Sequence, residues 1–355
     1  MRLSELGEDR FLERLRERVP ASGPQVKLGI GDDAAALALP AGEMALLSTD
    51  VLVENVHFTR QTLPPRFIGR KAVAVNASDI AAMGGRPTAL MASVCVPIAT
   101  EVAELFAVFD GVIERTSELK IDLVGGNLSQ SPDAMVVDVS IVGVSLGGRV
   151  LTRLGARPGD SIYVSGKLGA AAEGLDLLKE GMAVSGSGAI LVPKHLREGP
   201  VPLAESCLRA HRDPEPRIQL GQFLCEHKLA TSCIDLSAGL SRDLNRICRE
   251  NAIGARITET ALPIHPGVLA WERVRGRSPL EQALAGGEDY ELLFTTGDEQ
   301  KLRDWPDGQG VAVTRIGVVT ESSQGVKLHL REGTERALDS AGWDHFQSKR
   351  APGVP

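Results

Sequence analysis

A nearly uncharged stretch in the first half places the strongest constraint on how this chain folds. Residues 72–85, AVAVNASDIAAMGG, carry one charge, that of Asp79, among small apolar side chains. The pattern predicts a helix over 66–83 that ends at the glycine pair 84–85. A carboxylate buried in such a helix needs a partner. Asn76 lies one turn earlier on the same helix face.

Three further aspartates stand in similarly apolar company. Asp33 belongs to the acidic pair in 27–40, KLGIGDDAAALALP, and Asp50 follows the strand pattern LLST. Asp235 ends the strand pattern SCID and precedes Leu236. We expect all four carboxylates to be largely buried. Taken singly, each is more often explained by a helix cap or a salt bridge than by a ligand.

Together, the four carboxylates favour a hard divalent cation. Near Asp79 only Arg70 and Lys71 are basic, which leaves few ion-pair partners. Magnesium prefers oxygen ligands, and Ser48 and Thr49 add hydroxyl or carbonyl oxygens beside Asp50. Because magnesium usually connects protein carboxylates to substrate phosphates, the sequence predicts magnesium-dependent phosphate chemistry.

Length and composition narrow the class of protein. A chain of 355 residues predicts two domains, which we place at 1–150 and 151–355 around the break at GARPGD. Strands and helices without strict alternation in the first half predict an α+β fold. A net charge of −7 argues against nonspecific nucleic-acid binding, and no apolar run reaches the length of a membrane span. An odd number of cysteines without a CxxC pair fits a reduced, cytoplasmic protein.

Glycine-rich segments offer weaker signals. Residues 123–127, LVGGN, predict a strand that ends in a tight turn where backbone can approach a phosphate. Arg153 offers a charged fork for phosphate oxygens, or is an exposed arginine of the domain linker. The turn GGEDYE at 286–291 is by itself more often a hairpin or a cap than a substrate site. The segment 181–210 predicts a flexible insertion.

Seven motifs resemble those of thiamine-monophosphate kinases, in the same order. They are GIGDDAA, STDVLVENVHF, KAVAVNASDIAAMGGRP, LTRLGARPGD, IDLSAGL, GGEDYELLF and WDHF. That family belongs to the aminoimidazole ribonucleotide synthetase-like (PurM-like) superfamily of ATP-dependent enzymes, and the resemblance covers about residues 25–346. It implies a two-domain fold whose N-terminal domain forms a homodimer through its sheet and whose C-terminal domain closes the cleft.

The resemblance also implies roles for individual residues. Magnesium ligands of the family match Asp33, Ser48, Thr49, Asp50, Asp79 and Asp235. ATP contacts match Gly126, Asn127, Arg153 and Ser237. Contacts to thiamine monophosphate match His57, Glu288 and Trp343. Without the resemblance, these last three would be an ordinary surface histidine, a turn cap and a packed aromatic side chain.

The activity that the resemblance implies is direct transfer of the γ-phosphoryl group of ATP to thiamine monophosphate. The acceptor phosphate is already nucleophilic near neutral pH, so positioning and charge neutralisation replace a catalytic base. Two family aspartates are absent: GGD is GGN here, at Asn127, and IDLSDG is IDLSAG, at Ala238. The Asn127 amide oxygen can still bind magnesium, whereas Ala238 offers no ligand.

Two other interpretations remain open on the sequence. One is another ATP-dependent enzyme of the superfamily, acting on a carbonyl or an amide. The other is a non-catalytic protein that binds thiamine phosphates or a nucleotide, for which the substitutions at Asn127 and Ala238 leave room.

Overall fold

The structure is a computed structural model of the 355-residue chain. It describes residues 5, 11, 14–15, 17–28, 36–184, 190–303, 305 and 311–343. The described chain forms two main sheets, one built from the first half and one from the second. This mixture of sheets and helices is the α+β organisation that the sequence predicts.

The first sheet has four strands with helices packed on one side. Its strands are β3 (Ala45–Val53), β4 (Arg86–Val96), β5 (Asp122–Gln130) and β6 (Val136–Val144), after a short pair β1 (Val26–Leu28) and β2 (Ala36–Leu37). The spatial order is β3-β6-β4-β5, and of these pairs β4–β5 is parallel. The helices are α1 (Pro65–Ala82) and α2 (Val102–Leu119).

Strand alternation separates a core face from an open face in this sheet. On β3, Leu46 is 8% exposed and contributes to the core, whereas its neighbour Leu47 is 76% exposed. Val51 on β3 and Met91 on β4 are exposed as well. Because successive side chains point to opposite faces, α1 and α2 cover one face and the other faces solvent. We call this solvent-facing side the open face.

Helix α1 has the position that the sequence predicts and is buried along most of its length. Its core residues Ile68, Val73 and Ile80 pack in the first hydrophobic core. In the N-terminal stretch, Phe11 belongs to the same core, with its ring centroid 4.5 Å from that of Phe106 on α2. The helix therefore lies between the first sheet and the second domain.

The second sheet has seven strands. They are β7 (Ser161–Ser165), β10 (Ser232–Asp235), β11 (Ile253–Thr258), β12 (Leu292–Thr296), β13 (Val313–Glu321), β14 (Val326–His329) and β15 (Glu335–Ala337), with a separate small pair β8 (Ala183–Val184) and β9 (Ile190–Leu191). The order is β10-β12-β7-β13-β11-β14-β15, with β11 and β14 parallel.

Helices cover both faces of this sheet. The α-helices are α3 (Ala170–Lys179), α4 (Ala204–Arg212), α5 (Ile218–Glu226), α6 (Leu240–Asn251), α7 (Pro266–Arg275), α8 (Pro279–Ala285) and α9 (Glu299–Leu302). Helix α6 shares a core with Ile162 and Ile234, and α5 shares another with Tyr163 and Cys233, the residues on the opposite face. The backbone of α5 touches α1, since a Cβ at Gly221 would lie 2.0 Å from the Ala81 carbonyl oxygen.

Two sequence expectations are wrong. Residues 123–127 do not end a strand in a turn but lie inside β5, which continues to Gln130 in register with β4. The described part of 181–210 is not a flexible insertion, because Leu196, Cys207 and Leu208 are buried with Trp271 in a core of their own. Helices α4, α7, α8 and α9 were not predicted from the sequence.

No helix among the described residues is long and apolar enough to cross a membrane. All five cysteines are described and all are free.

Candidate functional site

Four polar side chains of α1 contact partners on both sides of the helix. Ser48 on β3 donates to Asp79, and the Asp50 backbone N–H donates to the Asn76 side chain (3.0 Å). On the side that faces the second domain, Ser78 donates to Asp235 (2.7 Å), and Lys71 forms an ion pair with Glu288 of the loop 286–291. Residues three or seven positions apart share a helix face. Asn76 and Asp79 therefore contact β3, and Lys71 and Ser78 contact the second domain.

These contacts bring Asp50, Asp79 and Asp235 together from three elements, β3, α1 and β10. Burial first, then the charges of Asp79 and Asp138, raise the pKa of Asp50 to about 7. Burial also raises the pKa of Asp79, although the Ser48 hydrogen bond and Arg153 oppose it. Asp235 has its pKa raised to about 8 by burial and the charge of Asp79. We call these three residues the acidic cluster.

The expectation of deep burial holds only in part. Asp235 is buried and Asp79 is half-buried. Asp50 is exposed as a whole residue, so the expectation is wrong for Asp50, although the groups around its carboxyl desolvate that group enough to raise its pKa. Asp33 lies outside the described residues. The three carboxylates of the acidic cluster therefore differ in how far the protein shields them from solvent.

The two basic residues closest in sequence do not neutralise the acidic cluster. Arg70 bonds to Asp213 (2.9 Å) and Glu118, and Lys71 pairs with Glu288. Arg153, an exposed residue, lies close enough for its charge to lower the pKa of Asp79. The acidic cluster thus has few cationic partners, and its carboxylates repel one another when they are ionised.

The residues present fit magnesium as a partly solvated ion. Among the described residues, no three histidine, cysteine or acidic side chains converge tightly enough to enclose a metal. Magnesium keeps several waters and usually takes one or two protein carboxylates together with substrate phosphates. The oxygen donors of Asp50, Asp79, Asp235 and Ser48 meet that requirement, and their repulsion is what a divalent cation relieves.

A second polar row lies on the open face of the first sheet. The Thr49 hydroxyl donates to Asp138 (3.0 Å), so it points away from the side of β3 on which Ser48 meets Asp79. Strand register aligns Asp138 with Ser93, and Ser93 with Asn127, which is exposed on the edge strand β5. Asp138 and Asn127 are therefore two strands apart on one face, a distance of roughly 10 Å.

Gly126 allows β4 and β5 to approach closely. A Cβ at this position would lie 2.0 Å from the carbonyl oxygen of Ala92. The predicted ATP contact at Gly126 thus has a packing reason for being glycine, independent of any ligand.

The motif GGEDYE forms a loop in which each of the three acidic side chains has a separate partner. Asp289 accepts from the Gly169 backbone N–H (2.9 Å) before the start of α3, and Glu291 accepts from Arg217 and Ser165. The Tyr290 phenol is buried near Glu288 and the acidic cluster, and burial followed by those charges raises its pKa well above the ordinary value. The loop is thus a cap and an ion-pair anchor beside the acidic cluster.

The backbone of this loop continues to the segment after Asp235. Glu288 N–H donates to the Ser237 carbonyl (2.8 Å), which orients the predicted ATP contact at Ser237 next to the predicted substrate contact at Glu288. Gly166 is required nearby, because a Cβ there would lie 1.9 Å from Glu291 Oε1.

Ala238 lies under the C-terminal segment. Its N–H donates to Asp243 Oδ2 (3.1 Å), and its carbonyl accepts from the Trp343 backbone (3.0 Å). Trp343 is half-buried. The hydrogen bond to the Ala238 carbonyl places it beside the loop that follows Asp235. The last three residues of the WDHF motif lie outside the described part.

His57 is held within the turn that follows β3. Its Nδ1 accepts a hydrogen bond from the Val53 backbone (3.0 Å). The structure therefore gives His57 a local role in the turn.

Four further candidate residues escaped sequence reasoning: Asp138, Asp243, Tyr290 and Lys71. Asp138 had a visible signal, since it is the lone carboxylate of the alternating strand VVDVSIVGV. Asp243 had a weaker one, an acidic residue in the first turn of a helix. The contacts of Tyr290 and Lys71 depend on packing between distant segments.

Comparison with known proteins settles the family. Residues 31–145 match the family model "AIR synthase related protein, N-terminal domain", and residues 157–329 match that of the C-terminal domain. A thiamine-monophosphate kinase of Escherichia coli (strain K12) is 37% identical over 96% of this chain and 98% of its own. The chain belongs to the thiamine-monophosphate kinase family. The resemblance noted in the sequence is thereby confirmed.

Other family members agree over similar lengths. A thiamine-monophosphate kinase of Bacillus subtilis (strain 168) is 33% identical over 91% of this chain and 94% of its own. The crystal structure of the enzyme from Stenotrophomonas maltophilia K279a has a TM-score of 0.74 at 32% identity, covering 94% and 96% of the two chains. A structure described as AaThiL complexed with AMPPCP and TMP has a TM-score of 0.72 at 31% identity, covering 98% and 99%.

The fold extends beyond the kinase family. Escherichia coli HypE, a hydrogenase maturation protein, has a TM-score of 0.72 at 20% identity. At that identity the likeness concerns the fold alone. Together with the two family-model matches, it confirms the predicted two-domain, PurM-like α+β fold.

Proposed function

We propose that the chain is a magnesium-dependent kinase that converts thiamine monophosphate and ATP into thiamine diphosphate and ADP. The observation that carries the proposal is the acidic cluster, Asp50, Asp79 and Asp235, formed where the two domains meet. A relative of similar length was solved with AMPPCP and TMP, which supports ATP and thiamine monophosphate as the substrates.

The physical task is to bring two polyanions together. Two unit charges about 4 Å apart repel by about 4 kcal/mol at an effective dielectric near 20. When bound, magnesium supplies the charge neutralisation that the transferred phosphoryl group requires. We assign magnesium to the acidic cluster with Asp33 and Ser48, and a further magnesium ion to Thr49 and Asn127, which lie with Asp138 on the open face.

The remaining residues take positioning roles in the proposal. Gly126, Asn127, Arg153 and Ser237 contact ATP. His57, Glu288 and Trp343 contact thiamine monophosphate, and the aromatic face of Trp343 suits a thiazolium cation. Arg153 is exposed and near Asp79, so its guanidinium is available for phosphate oxygens.

The reaction needs no covalent enzyme intermediate. An oxygen of the acceptor phosphate forms a bond to the γ-phosphorus while the bond to the β–γ bridging oxygen breaks, and ADP leaves with that electron pair. The acceptor oxygen is already ionised near neutral pH, so the chain's contribution is alignment and electrostatics.

We further propose that the protein is a cytoplasmic homodimer with domains at 1–150 and 151–355. The open face carries the exposed side chains of Leu47, Val51 and Met91. In the proposed dimer, a second copy of the chain covers them with its own open face. The two family-model matches fall on either side of the proposed boundary. Five free cysteines suit a reducing compartment.

A direct assay tests the proposal. Purified protein is incubated with thiamine monophosphate, ATP and a series of magnesium concentrations, and products are resolved by chromatography. We expect thiamine diphosphate and ADP in equal amounts. No diphosphate above a blank without protein, at any magnesium concentration, would overturn the proposal.

A thermal-shift screen run beside the assay separates the two rivals. Stabilisation by thiamine monophosphate without turnover would indicate a non-catalytic binder, which the substitution at Ala238 makes worth testing. Stabilisation by a carbonyl or amide ligand in preference to thiamine monophosphate would indicate another activity of the superfamily.

A further inference from the structure

The Glu288 carboxylate is contacted by two buried side chains, and part of the Glu288 side chain is exposed. Nζ of Lys71 lies 2.7 Å from one of its carboxylate oxygens, and Nδ1 of His211 lies 3.3 Å from the other. Lys71 and His211 are 0% and 1% exposed, whereas 28% of the Glu288 side chain is exposed. Both carboxylate oxygens thus face buried nitrogen atoms, while part of the Glu288 side chain remains exposed.

The backbone around Glu288 is strained, and the structure holds the strain. Glu288 and Tyr290 have φ values of 58° and 49°, in the left-handed region that side chains other than glycine rarely adopt. Their N–H groups donate to the Ser237 and Leu236 carbonyls (2.8 and 2.9 Å). Strain held in this way is found preferentially at functional sites.

The charge arrangement keeps Glu288 ionised. The Lys71 ammonium and the His211 contact lower the pKa of Glu288 against the opposing effect of its burial. Burial, followed by the Lys71 charge, lowers the pKa of His211, which favours the neutral ring. One buried cation therefore faces one carboxylate, and the imidazole adds a dipole.

The contact is formed between domains. Lys71 lies on α1 of the first domain, Glu288 follows α8 in the second, and His211 lies on α4. The orientation of Glu288 thus depends on how α1 packs against the second domain.

We propose that Lys71 and His211 are positioning residues that hold Glu288 as a fixed anionic edge for the cationic thiamine moiety of the substrate. The inference rests on the proposed function and assigns the two residues no contact with substrate. A carboxylate whose rear is neutralised by a buried ammonium cannot turn inward or take up a proton, so it stays available to a positive ring or an amino group. The thiazolium and aminopyrimidine groups of thiamine supply both.

Four variants test this inference: Lys71→Met, His211→Gln, Glu288→Gln and the double variant Lys71→Met/Glu288→Gln. Arg70→Met is the matched control, because Arg70 is the adjacent helix residue and also forms ion pairs across the domain contact. The measurements are KM for thiamine monophosphate, KM for ATP, and the calorimetric Kd of thiamine monophosphate.

We expect Lys71→Met to raise KM and Kd for thiamine monophosphate by about tenfold, and His211→Gln by about threefold, with KM for ATP changed less than about twofold. In the Glu288→Gln background, Lys71→Met should have no further effect beyond about twofold, because Lys71 acts through Glu288. Arg70→Met should leave KM for thiamine monophosphate unchanged. If Lys71→Met does not fold, the double variant, which leaves no unpaired charge, is compared with Glu288→Gln.

Additive effects of Lys71→Met and Glu288→Gln would overturn the inference. So would equal rises in KM for both substrates, or an Arg70→Met variant that behaves like Lys71→Met. If the parent binds thiamine monophosphate but does not phosphorylate it, the proposed function fails and the Kd series still decides the inference. If the parent turns over and Lys71→Met leaves Kd unchanged, the inference alone fails. A parent that does not bind thiamine monophosphate overturns both.

Discussion

Ser78 donates a hydrogen bond of 2.7 Å to Asp235, a residue 157 positions later in the chain. The bond connects the C-terminal part of α1 with the carboxyl end of β10, so it joins the two domains at the acidic cluster. Two residues from Ser78, the same helix pairs Asn76 with the Asp50 backbone. Helix α1 is therefore the element through which domain packing sets the geometry of the carboxylates.

The substitution Asp235→Asn should separate activity from stability. Asparagine keeps the size of the side chain and can accept the Ser78 hydrogen bond, but it removes a charge that repels Asp79 and Asp50. We expect kcat/KM at saturating magnesium to fall by about 100-fold or more. The Tm of the metal-free protein should rise or stay constant, because a buried repulsion is relieved.

Asp122→Asn is the matched control for that variant. Asp122 accepts hydrogen bonds from the Gly23 backbone and the Gln25 side chain, and we expect its substitution to leave kcat/KM unchanged. An Asp235→Asn protein that retains more than about a tenth of the parental kcat/KM would show that this carboxylate is not needed for magnesium.

Restoring the two family aspartates should lower the magnesium concentration for half-maximal rate. Each restored carboxylate contributes on the order of 1 kcal/mol, or about fivefold, less the repulsion it meets. The Ala238 N–H is bonded to the Asp243 carboxylate, so Ala238→Asp adds a charge beside an existing one. Asn127 is exposed, and Asn127→Asp should therefore give the larger decrease.

Magnesium titration of the parent, both single variants and the double variant measures this effect. Ser129→Asp is the control, since Ser129 is exposed on the same strand and face as Asn127. If Ser129→Asp lowers the magnesium requirement as much as Asn127→Asp does, the effect is a general one of added charge. If no variant needs less magnesium than the parent, the prediction is wrong, and the site binds magnesium equally well without the two family aspartates.

Glu173 should make stability fall with rising pH. This buried glutamate on α3 pairs with Arg275, yet burial, its largest influence, raises its pKa from 4.5 to about 7. A raised folded-state pKa means that its stabilising contribution is full below pH 4.5 and is lost as pH rises through 7. Glu173→Gln lacks this dependence. Its free energy of unfolding relative to the parent should increase by about 2.5 kcal/mol between pH 5 and pH 8.

Urea unfolding of both proteins across that pH range provides the comparison. Since other titrating groups are common to both proteins, only the difference between them is interpreted. A difference independent of pH would contradict the assignment, and a difference that falls with pH would reverse its sign.

A charge on the open face should dissociate the proposed dimer. Leu47 is the most exposed of the large apolar side chains described on β3, and Leu47→Asp would place a carboxylate against its symmetry-related copy. We expect light scattering to give twice 37.7 kDa for the parent and 37.7 kDa for the variant at micromolar concentrations.

Val274→Asp serves as the control, because Val274 is an exposed apolar residue on α7 in the other domain. It should remain dimeric. A parent with a mass of 37.7 kDa across the concentration range would refute the dimer, whatever the variants do.

Elements whose signals are local can be predicted from the amino-acid sequence. The nearly uncharged run ending in Gly84 and Gly85 predicts α1 within one residue at each end, because periodicity and a glycine stop depend only on neighbours along the chain. That Asn76 and Asp79 share a helix face follows from helix geometry alone, whereas the contact of this face with β3 is decided by packing. Motif order was sufficient to indicate the family.

Tertiary structure decided which distant groups meet. The pairing of Ser78 with Asp235 and of Lys71 with Glu288 depends on how two domains pack, and nothing in either local segment encodes the partner. Residues 123–127 form a strand despite their turn-like glycines, because pairing with β4 supplies the hydrogen bonds that a turn would otherwise supply.

The segment 181–210 illustrates the same limit. Its glycines and prolines predict flexibility, but Leu196, Cys207 and Leu208 lose contact with water against Trp271, some sixty to seventy-five positions away. Burial of apolar surface by remote residues outweighs local backbone preference, since each buried side chain contributes about 1.5–3 kcal/mol against propensity differences of about 1 kcal/mol or less. Local pattern therefore sets which elements form, and only packing sets what they touch.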